Sequence, residues 1–272
     1  MLSITPPQNI THNKLSGNKY EVIIEPCYPG YGVTIGNSLR RALLASLDGA
    51  AIVGFKINGV NHEFSAIDNV KEDVVEIILN LKKIRIQIHE MPAEGDIKLT
   101  LKVNGNKKVT AGDINKDANV EVINTDQLIA TLTDAKAELD MEIFVRQGRG
   151  YETVEQREKE KLEIGTIAID SLYSPVVNVG FTIESTRVGE MTNYEKLIMT
   201  IETNGTISPE EAIAQSVALL VDQYRFFSNQ SESENLVTTD TVEQIDEAEE
   251  KVEELEVEKV IKKRGRPKKE DK

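Results

Sequence analysis

The sequence is poor in the side chains that most often build cross-links, metal sites and catalytic centres. Its 272 residues include one cysteine, three histidines and no tryptophan, and aromatic residues make up 5% of the chain. Cys27 has no second cysteine to pair with, which excludes a disulfide framework. His12, His62 and His89 are too scattered for metal-ligand spacing. We therefore expect neither a metal nor a cofactor.

Long apolar runs and a surplus of basic residues are also missing. No apolar stretch approaches the roughly 20 residues that a membrane-spanning helix needs, and the first ten residues show no signal-peptide pattern. The 46 acidic residues outnumber the 32 Lys and Arg residues, which gives a formal net charge of −14. A nucleic-acid-binding body needs the opposite balance. These absences predict a soluble protein of a reducing compartment that does not contact a membrane.

Catalytic residues are equally hard to assemble. In HEFS, strand alternation would place His62 and Glu63 on opposite faces, which argues against a triad with Ser65. VRQGRGY carries Arg146 and Arg149 among glycines, and we interpret it as either an anion site or a bulge at a strand end. Because no nucleophile, base and orienting group come together, we assign no catalytic residue and expect a binding or assembly module.

Apolar residues alternate with polar ones in several short runs of residues 1–228, which we take as the ordered body. The runs IKLTLKV (97–103), ELDMEIFV (138–145) and KLIMTIET (196–203) are typical of half-buried antiparallel strands. VNGNK (103–107) predicts a hairpin turn. Few helical patterns interrupt these strands, so we predict an α+β fold rather than a doubly wound sheet.

Two of the three helical segments lie in the first third of the chain. In PGYGVTIGNSLRRALLASLDGAA (29–51), the apolar residues Leu39, Ala42, Leu43 and Leu47 recur at helical spacing. The segment EDVVEIILNLKKI (72–84) shows the same periodicity. Both segments therefore predict amphipathic helices.

The third helical segment, SPEEAIAQSVALLVDQYRFF (208–227), has the clearest signals. Ser208 is a good N-cap, Pro209 suits the first helical position, and Glu211 completes a capping box. The apolar residues that follow are spaced 4, 3, 4 and 3, which is a coiled-coil seam of two heptads without a partner in the chain. Its members are Ile213, Val217, Leu220, Tyr224 and Phe227.

The glycine cluster before the first helix reads G-x-G-x-x-x-G, which is neither the dinucleotide fingerprint nor a phosphate-binding loop. We interpret it as a tight chain reversal between strand and helix. Arg40, Arg41 and Leu44 lie off the centre of the apolar stripe. They form either a solvated face or an apolar anchor flanked by guanidinium groups, a composition enriched at interfaces.

The body resembles the N-terminal domain of the alpha subunits of bacterial or plastid RNA polymerases. The motifs that carry the resemblance occur in the family's order across about residues 30–213. They are GYGVTIGNSLRRALLASLDGAA, INGVNHEFSAIDNVKEDVVEIILNLK, RQGRGY, IAIDSLYSPV and ETNGTISPEEAI.

The resemblance implies an architecture and a dimer. It implies a discontinuous dimerisation subdomain of residues 1–48 and 173–228, into which a β-rich subdomain of residues 49–172 is inserted. It also implies a homodimer through the first and third helices. The interface residues expected are Leu39, Leu43, Leu47, Ile213, Val217, Leu220, Tyr224 and Phe227.

The resemblance further implies that the chain recruits the large beta and beta-prime subunits of the polymerase. The family's contact positions fall on Arg41, Leu44, Lys82 and Ile169. From the residues alone, Lys82 would be a solvated lysine and Ile169 a core residue of a strand. The cytoplasm of a bacterium, rather than a plastid, is the expected location.

The last 44 residues depart from the family, whose typical bacterial members continue into a helical domain that binds upstream DNA. Residues 229–260 carry twelve acidic and two basic residues, and residues 261–269, IKKRGRPKK, carry six basic residues. This composition predicts disorder and no further domain. The basic tail, residues 261–269, resembles an AT-hook through Arg264, Gly265, Arg266 and Pro267, which implies binding to A·T-rich DNA; a purely electrostatic tail is the alternative.

Three functions compete at this stage. The first is a polymerase alpha subunit, a non-catalytic homodimeric platform for assembly of a nucleotidyltransferase. The second is a stand-alone architectural DNA-binding protein that uses the basic tail, against which the acidic body argues. The third, a hydrolase, would need a catalytic cluster that the sequence does not supply.

Overall fold

A computed structural model describes residues 4–60, 62–90, 95–157 and 165–227. The chain divides into two compact units, residues 1–219 and 220–272. Fourteen strands and three α-helices are described, so the predicted α+β class is confirmed. No helix in these described ranges has the length and apolar content needed to cross a bilayer.

The elements follow one another along the chain in this order: β1 Asn9–Ser16, β2 Lys19–Cys27, α1 Tyr31–Ala45, β3 Asp48–Ile57, α2 Val74–Leu81, β4 Ile86–Ile88, β5 Ile97–Asn104, β6 Lys108–Thr110, β7 Val120–Val122, β8 Leu128–Thr131, β9 Glu138–Arg149, β10 Tyr151–Glu152, β11 Ile167–Ala168, β12 Ser171–Leu172, β13 Val176–Val188, β14 Met191–Thr203 and α3 209–227.

One sheet joins strands from the two ends of the first unit. Its order is β1-β2-β14-β13, and every neighbouring pair is antiparallel. Buried residues of β2 and β14 face each other in register, as Val22 with Met199 and Ile24 with Leu197. Helix α1 packs against β13 and β14, so it covers one face of this sheet.

The middle of the chain forms a six-stranded sheet of order β5-β9-β3-β4-β7, in which β11 also pairs with β3. The main apolar core of the protein lies here and draws all its buried members from between Ile52 and Ile169. Helix α2 contributes Val74, Ile77 and Leu81 to this core and contacts β8. The side chain of Asp73 caps the helix by accepting from the Glu76 N–H at 2.7 Å.

The three predicted strands are confirmed as β5, β9 and β14. The predicted hairpin at VNGNK is wrong, because β5 pairs with β9 and β6 pairs with β8. The chain does turn there, at Gly105 with φ of 87°. Residues 62–64 form a bend and a turn, and residues 65 and 66 are irregular, so this segment is not a strand. The Ser65 hydroxyl lies 3.1 Å from Nδ1 of His62.

Helix α3 begins as predicted. The Ser208 hydroxyl accepts from the Glu211 N–H at 3.2 Å, and the Glu211 carboxylate accepts from the Ser208 N–H at 3.2 Å, so the capping box is complete. The part of α3 in the first unit buries Ala212, Ile213 and Ser216. The remaining residues of the helix, from position 220, belong to the second unit.

Candidate partner-binding site

The N-terminus of α1 is held by a carboxylate that comes from the far end of the first unit. Glu195 on β14 accepts from the Gly30 N–H at 2.9 Å and from the Gly32 N–H at 2.8 Å, one with each carboxylate oxygen. The first N–H groups of a helix have no partner within it and carry the positive end of the helix dipole. A bidentate carboxylate therefore fixes where α1 starts.

The glycines of the cluster serve different purposes. Gly30 has φ of 84°, which suits the chain reversal that we predicted. Gly32 and Gly36 lie inside the helix. A Cβ on Gly32 would lie 2.7 Å from Oε2 of Glu195, and a Cβ on Gly36 would lie 2.9 Å from the ring of Phe181. These two glycines let the helix lie close against β13 and β14.

The two adjacent arginines of α1 have different surroundings. Arg40 donates from Nε to the carbonyl of Val179 on β13 at 3.0 Å, so its guanidinium ties the helix to the sheet. Arg41 is exposed and has no hydrogen-bond or ion-pair partner in the described part of the chain. Leu44, one turn on from Arg41, is half-buried. Arg41 and Leu44 can therefore both reach a partner.

The predicted dimer residues fall into two groups by exposure. Leu39, Leu43 and Leu47 are 6%, 0% and 1% exposed in the single chain, and Ile213 is 7% exposed. Side chains with so little free surface hold the helices in place and have almost nothing to bury against a second copy. The exposed group comprises Val217 at 42%, Tyr224 at 63% and Phe227 at 69%, with Leu220 half-buried.

Lys82 and Asp170 form an ion pair between α2 and the segment before β12. The Lys82 ammonium lies 3.3 Å from Oδ2 of Asp170, and both side chains are 35% exposed. A hydrogen bond from the Val154 N–H, at 3.0 Å, and the pairing with Lys82 hold the pKa of Asp170 below its ordinary value. Ile169, the neighbouring residue, is 2% exposed and belongs to the core, so it offers a partner no surface where it lies.

A buried polar network supports this segment from behind. Arg157 is 7% exposed and donates to the carbonyls of Val53, at 3.1 Å, and Ile169, and to the Ser171 hydroxyl. Its Nε lies 3.5 Å from a carboxylate oxygen of Glu152. These bonds attach the segment around Ile169 and Ser171 to β3.

Tyr173 completes the network by donating its hydroxyl to the Glu152 carboxylate at 3.0 Å. Burial, and after it this hydrogen bond to a negative group, raise the pKa of Tyr173 to about 12. The tyrosine is 2% exposed and stays protonated well above its ordinary titration range.

The arginines of VRQGRGY are engaged with carboxylates. Arg146 donates to Asp96 at 2.6 and 3.2 Å, and Arg149 donates to Asp48. An anion site at these residues would have to displace both carboxylates. The predicted bulge is wrong, since the register with β3 is continuous here and shifts only at Ile52–Gly54.

Sequence reasoning missed Glu195 and Arg157. Glu195 caps a helix that lies 163 and 165 residues earlier, and the Arg157 partner Val53 lies 104 residues earlier. No local pattern marks either contact. Among the described residues, no group of three or more His, Cys, Asp and Glu side chains is arranged to hold a metal. Arg264, Gly265, Arg266 and Pro267 lie outside the described residues.

Comparison with known proteins gives the class first. Residues 55–174 match the family described as the RNA polymerase Rpb3/RpoA insert domain. This stretch contains the last three residues of β3, all the other strands of the six-stranded sheet and the Lys82–Asp170 pair. The middle of the chain is therefore similar to an RNA polymerase insert domain.

Longer similarities extend over most of the chain. It is 45% identical over 238 residues to the DNA-directed RNA polymerase subunit alpha of Chlorobium phaeobacteroides, covering 87% of this chain and 71% of that one. The alpha subunit of Chlorobaculum tepidum is 44% identical over 233 residues, with coverages of 85% and 70%. That of Clostridium botulinum is 46% identical over 228 residues, with coverages of 84% and 71%. The chain belongs to the family of DNA-directed RNA polymerase alpha subunits.

Proposed function

We propose that the chain is a non-catalytic platform of a bacterial RNA polymerase, which forms a homodimer and recruits the beta and beta-prime subunits in the cytoplasm. Membership of the alpha-subunit family supports a role in an RNA polymerase. One structural observation supports the proposal that α1 carries the surface that binds the beta subunit. Arg41 stands exposed and unpaired, in the described part of the chain, on a helix whose two ends are fixed.

The fixed helix matters for the binding energy. Glu195 holds the start of α1, Arg40 ties its middle to β13, and the Ser174 hydroxyl donates to the Leu44 carbonyl at 3.1 Å near its end. A partner that contacts Arg41 and Leu44 therefore meets a preorganised surface and loses little entropy in ordering it. An arginine desolvated at the centre of an interface commonly contributes about 2 kcal/mol or more.

We propose that dimerisation uses the exposed apolar residues of α3. Tyr224 and Phe227 continue the heptad seam read from the sequence, and Phe226, 61% exposed, packs its ring edge-on against Phe227. Three exposed aromatic residues within four positions, Tyr224, Phe226 and Phe227, are typical of a protein interface. The dimerisation subdomain would combine residues 1–48 and 173–228, with residues 49–172 inserted. In support, the first sheet takes its strands from both ends of the first unit.

The test of the proposed surface compares two neighbouring arginines. Arg41→Ala should weaken binding of the co-expressed beta subunit roughly 30-fold, as expected for a loss of about 2 kcal/mol. Arg40→Ala, the matched control, removes the bond to Val179 and should lower the free energy of unfolding by about 1 kcal/mol. Its beta affinity should stay within about threefold of the unmodified chain.

Titration of tagged chain with purified beta subunit measures both affinities, and sedimentation checks that each variant keeps its oligomeric state. Full beta binding by Arg41→Ala would remove this residue from the surface. Equal losses in both variants would indicate that the position of the helix, rather than the Arg41 guanidinium, governs binding.

The basic tail supports a weaker, additional activity toward DNA. Arg-Gly-Arg-Pro is suited to the narrow minor groove of A·T-rich duplex, where guanidinium groups meet concentrated negative potential. The twelve acidic residues of 229–260 would compete with phosphate for the six basic residues that follow. We therefore propose that any DNA contact of the tail is secondary to assembly of the polymerase.

A further inference from the structure

A cavity lies between β5 and β7, the two edge strands of the six-stranded sheet. Its volume is about 420 Å³, and its walls include Leu99 of β5, Val120 and Val122 of β7, and most of residues 111–118. Because strands from opposite ends of the sheet order share it, the sheet curls around the cavity. Small-molecule sites commonly have volumes of about 300–1,000 Å³ and occur in the mouths of β-barrels. The cavity has the size and the position of such a site.

The floor of the cavity is apolar and buried. Leu99, Ile114 and Val120 are 3%, 6% and 8% exposed, and Ala111 is 1% exposed. All four belong to the main apolar core of the protein. Moving a hydrocarbon group from water onto such a floor is favourable, because apolar surface of both partners is removed from water. The floor therefore suits the hydrocarbon part of a ligand.

Hydrogen bonds to neighbouring segments hold the wall formed by residues 111–118. The Gly112 N–H donates to the Thr125 carbonyl at 2.8 Å, in the segment that follows β7. The Asn115 N–H donates to the Thr100 carbonyl on β5 at 2.9 Å, and the Asn115 side-chain amide donates to the Thr100 hydroxyl at 2.6 Å. The wall is thus tied to both sides of the gap, so a ligand needs to impose little reorganisation on it.

The charged groups that line the cavity differ in whether they are already engaged. Nε2 of His89 lies 3.5 Å from a carboxylate oxygen of Glu121. The Asp117 carboxylate accepts from the Asn119 N–H at 2.8 Å. Lys116 is exposed, and its ammonium has no hydrogen-bond or ion-pair partner in the part of the chain that the structure describes. The charge left for a ligand is therefore positive, and it favours an anion.

We propose that this cavity binds a small amphipathic carboxylate, whose hydrocarbon body lies on the apolar floor and whose carboxylate pairs with Lys116. A cationic ligand of the same shape meets the like charge of Lys116 and has to compete with His89 and with the Asn119 N–H for the two acidic side chains. The cavity shares no described wall residue with the surfaces proposed for the large subunits, the dimer or DNA. The site therefore stands independently of the proposed function.

The test titrates the full chain with octanoate and with octylamine, which have similar hydrocarbon chains and opposite charges. Methyl NMR signals of Leu99, Ile114 and Val120 report binding at the floor. Octanoate should shift these signals and bind at least about fivefold more tightly than octylamine, since an exposed ammonium attracts one charge and repels the other. Lys116→Gln should abolish this preference. The matched control Lys136→Gln, which changes an exposed lysine of a turn outside the cavity, should keep it.

A second pair of variants tests the cavity itself. Ala118→Trp places a large ring among the lining residues and should abolish the octanoate shifts, whereas Ala135→Trp, at an exposed turn outside the cavity, should bind octanoate within about twofold of the unmodified chain. Octanoate should also raise the melting temperature, because a ligand of the folded state stabilises it.

The two probes and the variants leave the proposal open to refutation in separate ways. An absence of methyl shifts with octanoate, equal affinity for both probes, or a preference that survives Lys116→Gln would each overturn it. Octanoate binding that persists in Ala118→Trp would place the ligand elsewhere. A melting temperature that falls with octanoate would indicate surfactant action on the chain instead of binding at a site.

Discussion

Removing the carboxylate that caps α1 should cost a measurable part of the stability. Glu195→Ala deletes two hydrogen bonds to an ionised acceptor. Gly30 is exposed and its N–H can return to water, whereas Gly32 is buried and its N–H would be left without a partner. An orphaned buried donor costs about 1–3 kcal/mol, and the lost helix-dipole interaction adds about 0.3–1 kcal/mol. We expect a loss of about 2–3 kcal/mol.

Urea unfolding followed by circular dichroism measures this loss. Protein concentration has to be fixed, because dimerisation would add a concentration-dependent term to the stability. The midpoint should fall without a change in the urea dependence of the free energy. Glu195→Gln keeps one acceptor oxygen and should lose about half as much. A loss below about 0.5 kcal/mol in Glu195→Ala would refute the capping argument.

A second substitution, Gly32→Ala, should change stability in opposite directions with and without the Glu195 side chain. In the unmodified chain, Gly32→Ala should destabilise, because its Cβ would lie 2.7 Å from Oε2 of Glu195 and would displace the carboxylate. With Glu195→Ala already present, the remaining contacts of that Cβ, with Ile183 among them, are ordinary at 3.5 Å. Alanine is then favoured over glycine inside a helix by about 1 kcal/mol, so Gly32→Ala should stabilise. Destabilisation of similar size in both backgrounds would contradict the assigned contact.

Three further predictions test other parts of the account. Replacing Leu220 and Tyr224 by Asp should turn the dimer into a monomer in sedimentation, because charge would be buried in the seam at a cost of several kcal/mol; an unchanged dimer would refute the seam. The folded pKa of Tyr173, about 12, lies above its ordinary value of 10.0, so the unfolded chain releases this proton first and stability falls as pH rises from 10 to 12. Between pH 10 and 12, the free energy of unfolding should fall by about 2 kcal/mol more in the unmodified chain than in Tyr173→Phe. If the free energies of unfolding of both proteins change in parallel with pH, the raised pKa of Tyr173 is contradicted. A peptide of the basic tail should prefer A·T-rich over G·C-rich duplex in binding titrations, and changing Arg264 and Arg266 to Lys should reduce that preference while the salt dependence persists; equal affinity of the unmodified peptide for both duplexes would leave a non-specific cationic tail.

Features set by residues close in sequence were predictable. The capping box of Ser208 and Glu211 spans three residues, and both hydrogen bonds are present. Buried and more exposed residues alternate along β5, β9 and β14, and apolar and polar side chains alternate with them. This pattern can be read directly from the sequence. The α+β class followed from these local patterns.

Features set by distant pairing were not predictable in this way. VNGNK is chemically suited to a hairpin, but β5 finds its partner in β9, so the turn connects strands that do not pair. The apolar stripe that predicted the first helix starts at Leu39, but α1 begins earlier, at Tyr31, because Glu195 stabilises a glycine-containing first turn of low intrinsic helix propensity. The different surroundings of Arg40 and Arg41 depend on the position of the Val179 carbonyl, which no spacing within α1 reveals.

The central claim is that this chain assembles a polymerase as a dimer, and the stoichiometry of the assembled complex tests it most directly. The full chain co-expressed with its beta subunit, purified in the absence of DNA, should give a complex whose mass in sedimentation corresponds to two copies of the chain for each beta subunit. Arg41→Ala should leave the two copies together and lower the fraction that carries beta. Recovery of the chain without beta, or with one copy for each beta subunit, would contradict the account.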